Sequence, residues 1–439
     1  MDGIKNEIKK IAILLLIMIL FSTTSFAEDT NNDTNLEPNS INTSISEDNP
    51  SDSLNIYSEA VILIENTTGK TLYEKNSEQK MYPASTTKIL TAILAIENSS
   101  LDDLVTVSQT AISNIPSGYS SAYLSVGEEI SVDNLLKVLL IHSANDAANV
   151  LAEHVSGSID QFVNLMNEKT QELGCTNTHF VTTNGIHDDN HYTTAKDLSI
   201  IARYCMQNPT FRKYVSTPRC TIPATNKSQE RTYKNTNDLI NTSSTYYYPG
   251  CIGIKTGYTS EAKNCLISAC NKNGLQLIAV VLGAGSVNGR SARYLDSKTL
   301  YDYGYSNYSM KTIAQKSSVL KTITVPHATK ETKDLDLLLE DNIVALTKNN
   351  SSTNISPEIS VSDNISAPIS ENSVIGTATY TIDGQTYTSN IIASHDVIQN
   401  DNLYLILIIS LIGIILILII IFIILRIHKK KKKEKYIYY

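Results

Sequence analysis

The sequence predicts an α+β unit built on an antiparallel sheet with helices, then a small all-β module, then one membrane-spanning helix. Three observations carry this expectation. Apolar runs of strand and helix length intermix between about Ser58 and Tyr308, short segments with turn signals follow, and residues 403–425 form a stretch of 23 residues without a charge. With 42% hydrophobic and 18% charged residues in 439, wholesale disorder is excluded. The formal charge of −8 is unevenly spread: Arg426 and six lysines against Glu434 put +6 on the last fourteen residues, which leaves −14 on the rest. An acidic body with one basic tip has no electrostatic footprint for nucleic acid.

The first element reads as a signal peptide over residues 1–27. Lys5, Lys9 and Lys10 precede the apolar run from Ile11 to Phe21, and Ser25-Phe26-Ala27 offers small residues for cleavage. Residues 28–55 are rich in Asn, Asp, Ser and Thr and read as a disordered linker. The unit expected over 56–308 opens with a strand, Ala60 to Ile64, a turn at Asn66 to Lys70, and a returning strand at Thr71-Leu72-Tyr73. Pro83-Ala84-Ser85 opens a helix that continues through Ile89, Leu90, Ile93, Leu94 and Ile96. Residues 131–153 read as helical, with Ser131 as cap and Leu135, Leu136, Leu139 and Leu140 at helical spacing. Gln161–Leu173 and Ala195–Cys205 add two helices. Cys265–Ala269 and Leu275–Ala284 read as strands joined at Asn273-Gly274, and a helix over 290–303 closes the unit.

The all-β module is expected over 309–398. Leu320 to Val325 alternates, and Asp383-Gly384 joins two strands of a hairpin, while Lys348 to Asn364 is Asn/Ser-rich and reads as a disordered insertion. The transmembrane helix follows at 403–425. At ~1.5 Å per residue it crosses ~30 Å of hydrocarbon. The basic tail, 426–439, is expected in the cytoplasm against anionic headgroups, which puts the body outside the cell membrane as a single-pass protein. All six cysteines fall in the body, where an even number outside the cell permits disulfides, and free buried thiols fit equally well. No Cys-x-x-Cys pair suggests zinc.

Three short motifs carry chemistry. Ser85-Thr86-Thr87-Lys88 places an amine and a hydroxyl three apart on one helical face, and a serine needs such a base to become a nucleophile. Ser143-Ala144-Asn145 interrupts an apolar helical stretch with polar groups that want partners. Lys255-Thr256-Gly257, after Gly253-Ile254, reads as a strand that an extended substrate backbone could approach, with a cation for a carboxylate. Each alone is weak. Their order is the signature of penicillin-binding proteins and class A β-lactamases.

The body resembles the low-molecular-mass penicillin-binding proteins, the serine-type D-alanyl-D-alanine carboxypeptidases. Further blocks share in the likeness: Gly185-Ile186-His187-Asp188 with His191-Tyr192-Thr193-Thr194-Ala195, Gly253 to Thr259, and Leu277 to Ala284. It spans about Ser58 to Tyr308, and the β module resembles that family's second domain more loosely. Ala144, the Asn-rich stretch and a true transmembrane span depart from the pattern. The resemblance implies a penicillin-binding-protein/β-lactamase-like catalytic domain that removes the terminal D-alanine from peptidoglycan stem pentapeptides. It makes Ser85 the acyl-enzyme nucleophile, Lys88 its base, and Ser143 and Asn145 the proton relay and amide holder. It gives Lys255 and Thr256 the substrate carboxylate and places the oxyanion hole at the N–H groups of Ser85 and Tyr258, beside Gly257. It implies β-lactam inhibitors as ligands, no cofactor and no metal, since His187 to His191 falls in a block that holds none in the family. Two alternatives stand beside it. A β-lactamase would need a deacylating Glu, yet none of Glu153, Glu168, Glu172 and Glu230 begins a Glu-x-x-Leu-Asn pattern. A catalytically idle wall-binding or penicillin-sensing protein would be favoured by loss of a motif residue, and none is lost.

Overall fold

The computed structural model describes residues 54–434 except Asn114 and 352–354. The expected signal peptide, nearly all of the linker and the end of the basic tail lie outside the described residues. The first sheet has five antiparallel strands. β1 (Ala60–Glu65) and β2 (Thr71–Lys75) come from its N-terminal end, and β3 (Cys251–Thr259), β4 (Lys263–Lys272) and β5 (Leu275–Ala284) return much later, in the order β2-β1-β5-β4-β3. All pairs of neighbours are antiparallel. β3, which carries Lys255-Thr256-Gly257, is therefore an edge strand.

The sheet is buried on both faces, which is why β1 reads as an unbroken apolar run rather than an alternating one. Ala60, Ile62 and Ile64 point into one core with Ile267, Ile278 and Val280. Val61 and Leu63 point into another with Leu266, Leu277 and Val281. The first core is completed by helices α1 (Lys88–Asn98), α2 (Val132–Lys137), α3 (Asn145–Ser156), α4 (Ile159–Glu172) and α5 (Ala195–Gln207). The second is closed by α6 (Ala292–Asn307), through Leu300 and Tyr301. The β4–β5 turn places Asn273 and Gly274 at φ 53° and 83°, as a tight Asn-Gly hairpin requires.

Two expectations change here. Residues 131–153 are not one helix. Ser131 does cap α2, accepting from the Asn134 N–H. The next turn widens over Val138–His142, Ser143 turns left-handed at φ 70°, and α3 starts afresh at Asn145. The apolar spacing continues across the break because both helices bury their leucines in one core, so periodicity alone conceals it. The Asn/Ser-rich stretch 348–364 is not wholly irregular either: Glu358–Val361 forms an edge strand along Val374–Ile382.

The C-terminal domain is all-β. Its main sheet has five strands, with Val374–Ile382 and Gln385–Ala393 joined by Asp383 and Gly384 at φ 48° and 76°. Leu335, Leu337, Leu339 and Ile391 form its own core. After it comes the helix Asn402–Glu434, longer than the expected span, of which Tyr404–Lys431 is long and apolar enough to cross a membrane.

Candidate active site

The polypeptide reaches Ser85 through an unusual turn. Ala84 sits at φ 48°, and the four residues Ala84–Thr87 form a 3-10 turn that runs directly into α1. The turn is held from behind. The Thr87 hydroxyl donates to the Ala84 carbonyl at 2.8 Å, and His191 Nε2 lies 2.8 Å from the same hydroxyl. The other His191 nitrogen accepts from the Val181 N–H at 3.0 Å, so the ring is neutral with its proton on Nε2. Burial above all pushes its pKa down to about 3, against an upward pull from Asp188 and with smaller downward pushes from His179, Lys88 and His187. Gly185 closes against this turn: a Cβ there would stand 1.9 Å from the Ala84 carbonyl oxygen.

Lys88 begins α1 one turn on and is fully buried. Its Nζ lies 2.8 Å from Ser85 Oγ, 2.8 Å from Asn145 Oδ1 and 2.5 Å from the Asn184 carbonyl. Two of these partners can only accept. A neutral amine donates to both and keeps its lone pair for the serine hydroxyl. Burial, and then the positive charge of Lys255, hold the Lys88 pKa well below that of an ordinary lysine, against a smaller upward pull from Asp146. Asn145 is fixed on its other side, its Nδ2 donating to the Ser120 carbonyl at 2.8 Å.

β3 runs alongside. Gly257 faces Ser85 so closely that a Cβ would sit 3.0 Å from the Ser85 nitrogen and 3.0 Å from the Pro83 carbonyl oxygen. A cavity of about 500 Å³ opens here, bounded by Ser85, Ser143, Asn145, Thr256, Gly257 and Tyr258. The structure thus brings seven of the eight sequence-predicted site residues to one place, counting Lys88 beneath the cavity floor. Lys255 stands apart. It is buried, its Nζ donates to the Thr256 carbonyl at 2.9 Å, and it does not border the cavity. Burial, and then Arg293, push its pKa down to about 7.

Sequence reasoning missed three parts of this wall. Arg293, from α6, borders the cavity and donates to the Gly257 carbonyl at 3.3 Å. The Thr236 hydroxyl lies 2.6 Å from that of Thr256. The segment Ser117-Gly118-Tyr119-Ser120 forms the opposite side. Arg293 falls on the helix expected over 290–303, but none of the three belongs to a motif, so no sequence signal marked them as part of the site. His187 and His191 do not form a metal site together: the first packs edge-on against Tyr82 and the second is turned inward to Thr87.

An antiparallel sheet packed on helices, with a Ser-x-x-Lys turn at its edge strand, defines the penicillin-binding-protein-like class of serine peptidases. Residues 44–286 match the family described as D-alanyl-D-alanine carboxypeptidase, and residues 308–399 match the C-terminal domain of penicillin-binding protein 5. The D-alanyl-D-alanine carboxypeptidase DacF of Bacillus subtilis is 34% identical over 343 residues, which cover 77% of this chain and 85% of that protein. Among solved structures, penicillin-binding protein 5 of Haemophilus influenzae aligns with a TM-score of 0.60 at 26% identity, over 79% of this chain and all but 1% of its own. The DD-transpeptidase of Streptomyces K15 aligns with a TM-score of 0.53 at 34% identity, over 57% of this chain and 98% of its own. The chain belongs to the D-alanyl-D-alanine carboxypeptidase family of serine peptidases, the low-molecular-mass penicillin-binding proteins.

Proposed function

We propose that this enzyme removes the terminal D-alanine from peptidoglycan stem pentapeptides through an acyl-enzyme on Ser85, and that β-lactams are trapped at the same serine. The observation that carries this is the contact of Lys88 Nζ with Ser85 Oγ in a buried site flanked by Lys255, where burial and that charge favour the neutral amine that can take the serine proton. In acylation the Ser85 proton passes to Lys88 as Oγ bonds to the carbonyl carbon of the penultimate D-alanine. The N–H groups of Ser85 and Tyr258 receive the oxyanion. Collapse expels D-alanine, whose nitrogen takes a proton relayed through Ser143, and water then releases the shortened peptide by the same path in reverse. Asn145 holds the substrate amide while it orients Lys88.

The terminal carboxylate is assigned to Thr256, Thr236 and Arg293, which border the cavity. Lys255 acts from beneath: its charge favours the carboxylate and keeps Lys88 deprotonated. Gly257 is required for the approach of β3 to Ser85, so the substrate backbone can add to that edge. The apolar helix after residue 403 is assigned as a membrane anchor, with the basic tail in the cytoplasm and the catalytic domain outside.

The test is intact-mass analysis after incubation with penicillin, and release of alanine from a stem pentapeptide. One adduct, absent in Ser85→Ala, and loss of a single alanine are expected. A labelled Ser85→Ala protein would show the nucleophile to be elsewhere. Hydrolysis of the penicillin with rapid turnover, and none of the peptide, would favour a β-lactamase.

A further inference from the structure

The residue after Asn145 has its own task. Asp146 is buried in the first turn of α3, yet its carboxylate does not serve that helix alone. One oxygen accepts from the Ala122 N–H at 3.0 Å; the other accepts from the Ser121 hydroxyl at 2.6 Å and the Leu124 N–H at 3.0 Å. Three donors of one loop converge on a single side chain of the motif helix. The same loop is held from outside, where Arg231 Nη1 and the Tyr233 hydroxyl both donate to the Ala122 carbonyl, at 3.2 and 3.1 Å.

This loop is the far wall of the cavity. Ser117 to Ser120 border it immediately before the clamped residues. Ser120 also closes a circuit back to the site. Its carbonyl accepts from both the backbone N–H and the Nδ2 of Asn145, at 2.9 and 2.8 Å, and its hydroxyl donates to the His142 carbonyl at 2.8 Å. Rotation of the Asn145 carboxamide would place an NH₂ against Lys88 and lose both partners. The Ser120 carbonyl forbids that rotation, and Ser120 is where it is because Ser121 and Ala122 are tied to Asp146.

We infer that Asp146 is a positioning residue for the reaction, clamping the 117–124 loop so that Ser120 locks the Asn145 amide toward Lys88 and the cavity wall keeps its width. The inference rests on the proposed role of Ser85 and Lys88. Carboxylate hydrogen bonds to two backbone N–H groups and a hydroxyl are strong ones, and displacement of a catalytic contact by about 1 Å costs on the order of 10² in rate.

The experiment follows acylation by a fluorescent penicillin and kcat/KM on a stem pentapeptide in Asp146→Ala, Asp146→Asn and Ser121→Ala, with hydrogen exchange at the amides of residues 122 and 124. Asp146→Ala should lose about 10- to 100-fold in acylation and in kcat, with both amides deprotected, the Ala147 amide losing its bond to the same carboxylate, and the intrahelical amides of 149–156 unchanged. Ser121→Ala, which leaves the helix intact, should move the same way by less, and it carries the test if Asp146→Ala does not fold. Asp146→Asn removes the one carboxylate that raises the affinity of Lys88 for its proton; Lys255 and the neutral His191 are the other titratable groups facing Lys88. The acid limb of acylation should then shift to lower pH, which a merely structural role would not produce. Deprotected amides with an unchanged acylation rate, or an unmoved acid limb in Asp146→Asn, would overturn the inference. Absence of acylation in the wild type would instead remove the reading of Ser85 on which it rests.

Discussion

The two domains bury very different things. The catalytic domain encloses Lys88, Lys255, Asp146, His191, Asp197, Asp296, Glu65 and Glu128, each nearly or fully out of water. In the C-terminal β domain the buried polar side chains among the described residues are Thr347 and Ser389, and its core is aliphatic with a few tyrosines. Burying a charge costs far more than burying a leucine and returns little stability. A fold keeps such groups where they do chemistry or hold other groups in place. The β domain pays no such cost and has the character of a passive scaffold between the catalytic domain and the apolar helix.

That contrast can be broken most forcefully at Lys88. Lys88→Arg supplies a cation that cannot deprotonate at any usable pH, so acylation should fall on the order of 10²–10⁴-fold. Lys88→Met should lose as much activity while its melting temperature holds or rises, because a desolvated amine has been replaced by an apolar chain. A large fall in melting temperature for Lys88→Met would mean that the lysine is structural. Lys255→Gln sharpens the same point. Without that neighbouring charge Lys88 should hold its proton more tightly, and the acid limb of kcat/KM should move to higher pH. In the wild type the Lys255 charge itself should be lost as pH rises through about 7.

The opposite pattern is expected at Leu337, fully buried in the β domain. Leu337→Ala should cost about 2–5 kcal/mol of that domain's stability, read by denaturant unfolding, and leave kcat/KM on the stem pentapeptide as it was. A drop in kcat/KM at a temperature where the domain stays folded would show that the scaffold is not passive.

His191 gives a smaller, pH-dependent effect. Its ordinary pKa of 6.5 falls to about 3 in the fold, so between those values the unfolded chain binds the extra proton. The neutral ring's contribution is fully present above pH 6.5 and is lost as pH falls toward 3, at about 1.4 kcal/mol per unit. Urea midpoints at pH 7 and pH 5 should converge in His191→Asn relative to wild type, and equal slopes in both would contradict the buried neutral ring. The smallest effect belongs to the seam between the domains. Lys70 Nζ donates to the Asp383 carbonyl at 3.1 Å and lies 3.7 Å from its carboxylate, both partly exposed. Lys70→Ala should change stability by no more than about 1 kcal/mol, with a salt dependence that disappears in the variant.

Much of this was legible in the sequence, and the reasons differ by residue. Three strands of the central sheet were visible as apolar runs, and Asn273-Gly274 there and Asp383-Gly384 in the β domain marked hairpin turns because each needs two residues at positive φ. The three motifs were legible as residue types at fixed offsets, and the fold brings them together. Lys255 shows the limit of such reading: its position in the motif suggested a direct contact, but it shares with Gly257 the strand face that packs on the Ser85 turn and is buried there without bordering the cavity. Arg293 comes from a helix that was expected and Thr236 from a loop, but neither belongs to a motif, and only the folded arrangement places them beside β3. The break at Ser143 was hidden because a left-handed serine leaves no mark on hydrophobic spacing.

The turn that presents Ser85 has a thermodynamic consequence. Ala84 is held left-handed by a relay of Thr87 and His191 and by the packing of Gly185, contacts made wholly within the protein. The ordering of Ser85 is therefore built in at folding, and the proposed acylation does not have to draw on binding energy to achieve it. Its activation entropy should be correspondingly small, with the barrier carried by bond making and proton transfer, and the free and acylated enzymes should share one conformation of residues 83–88.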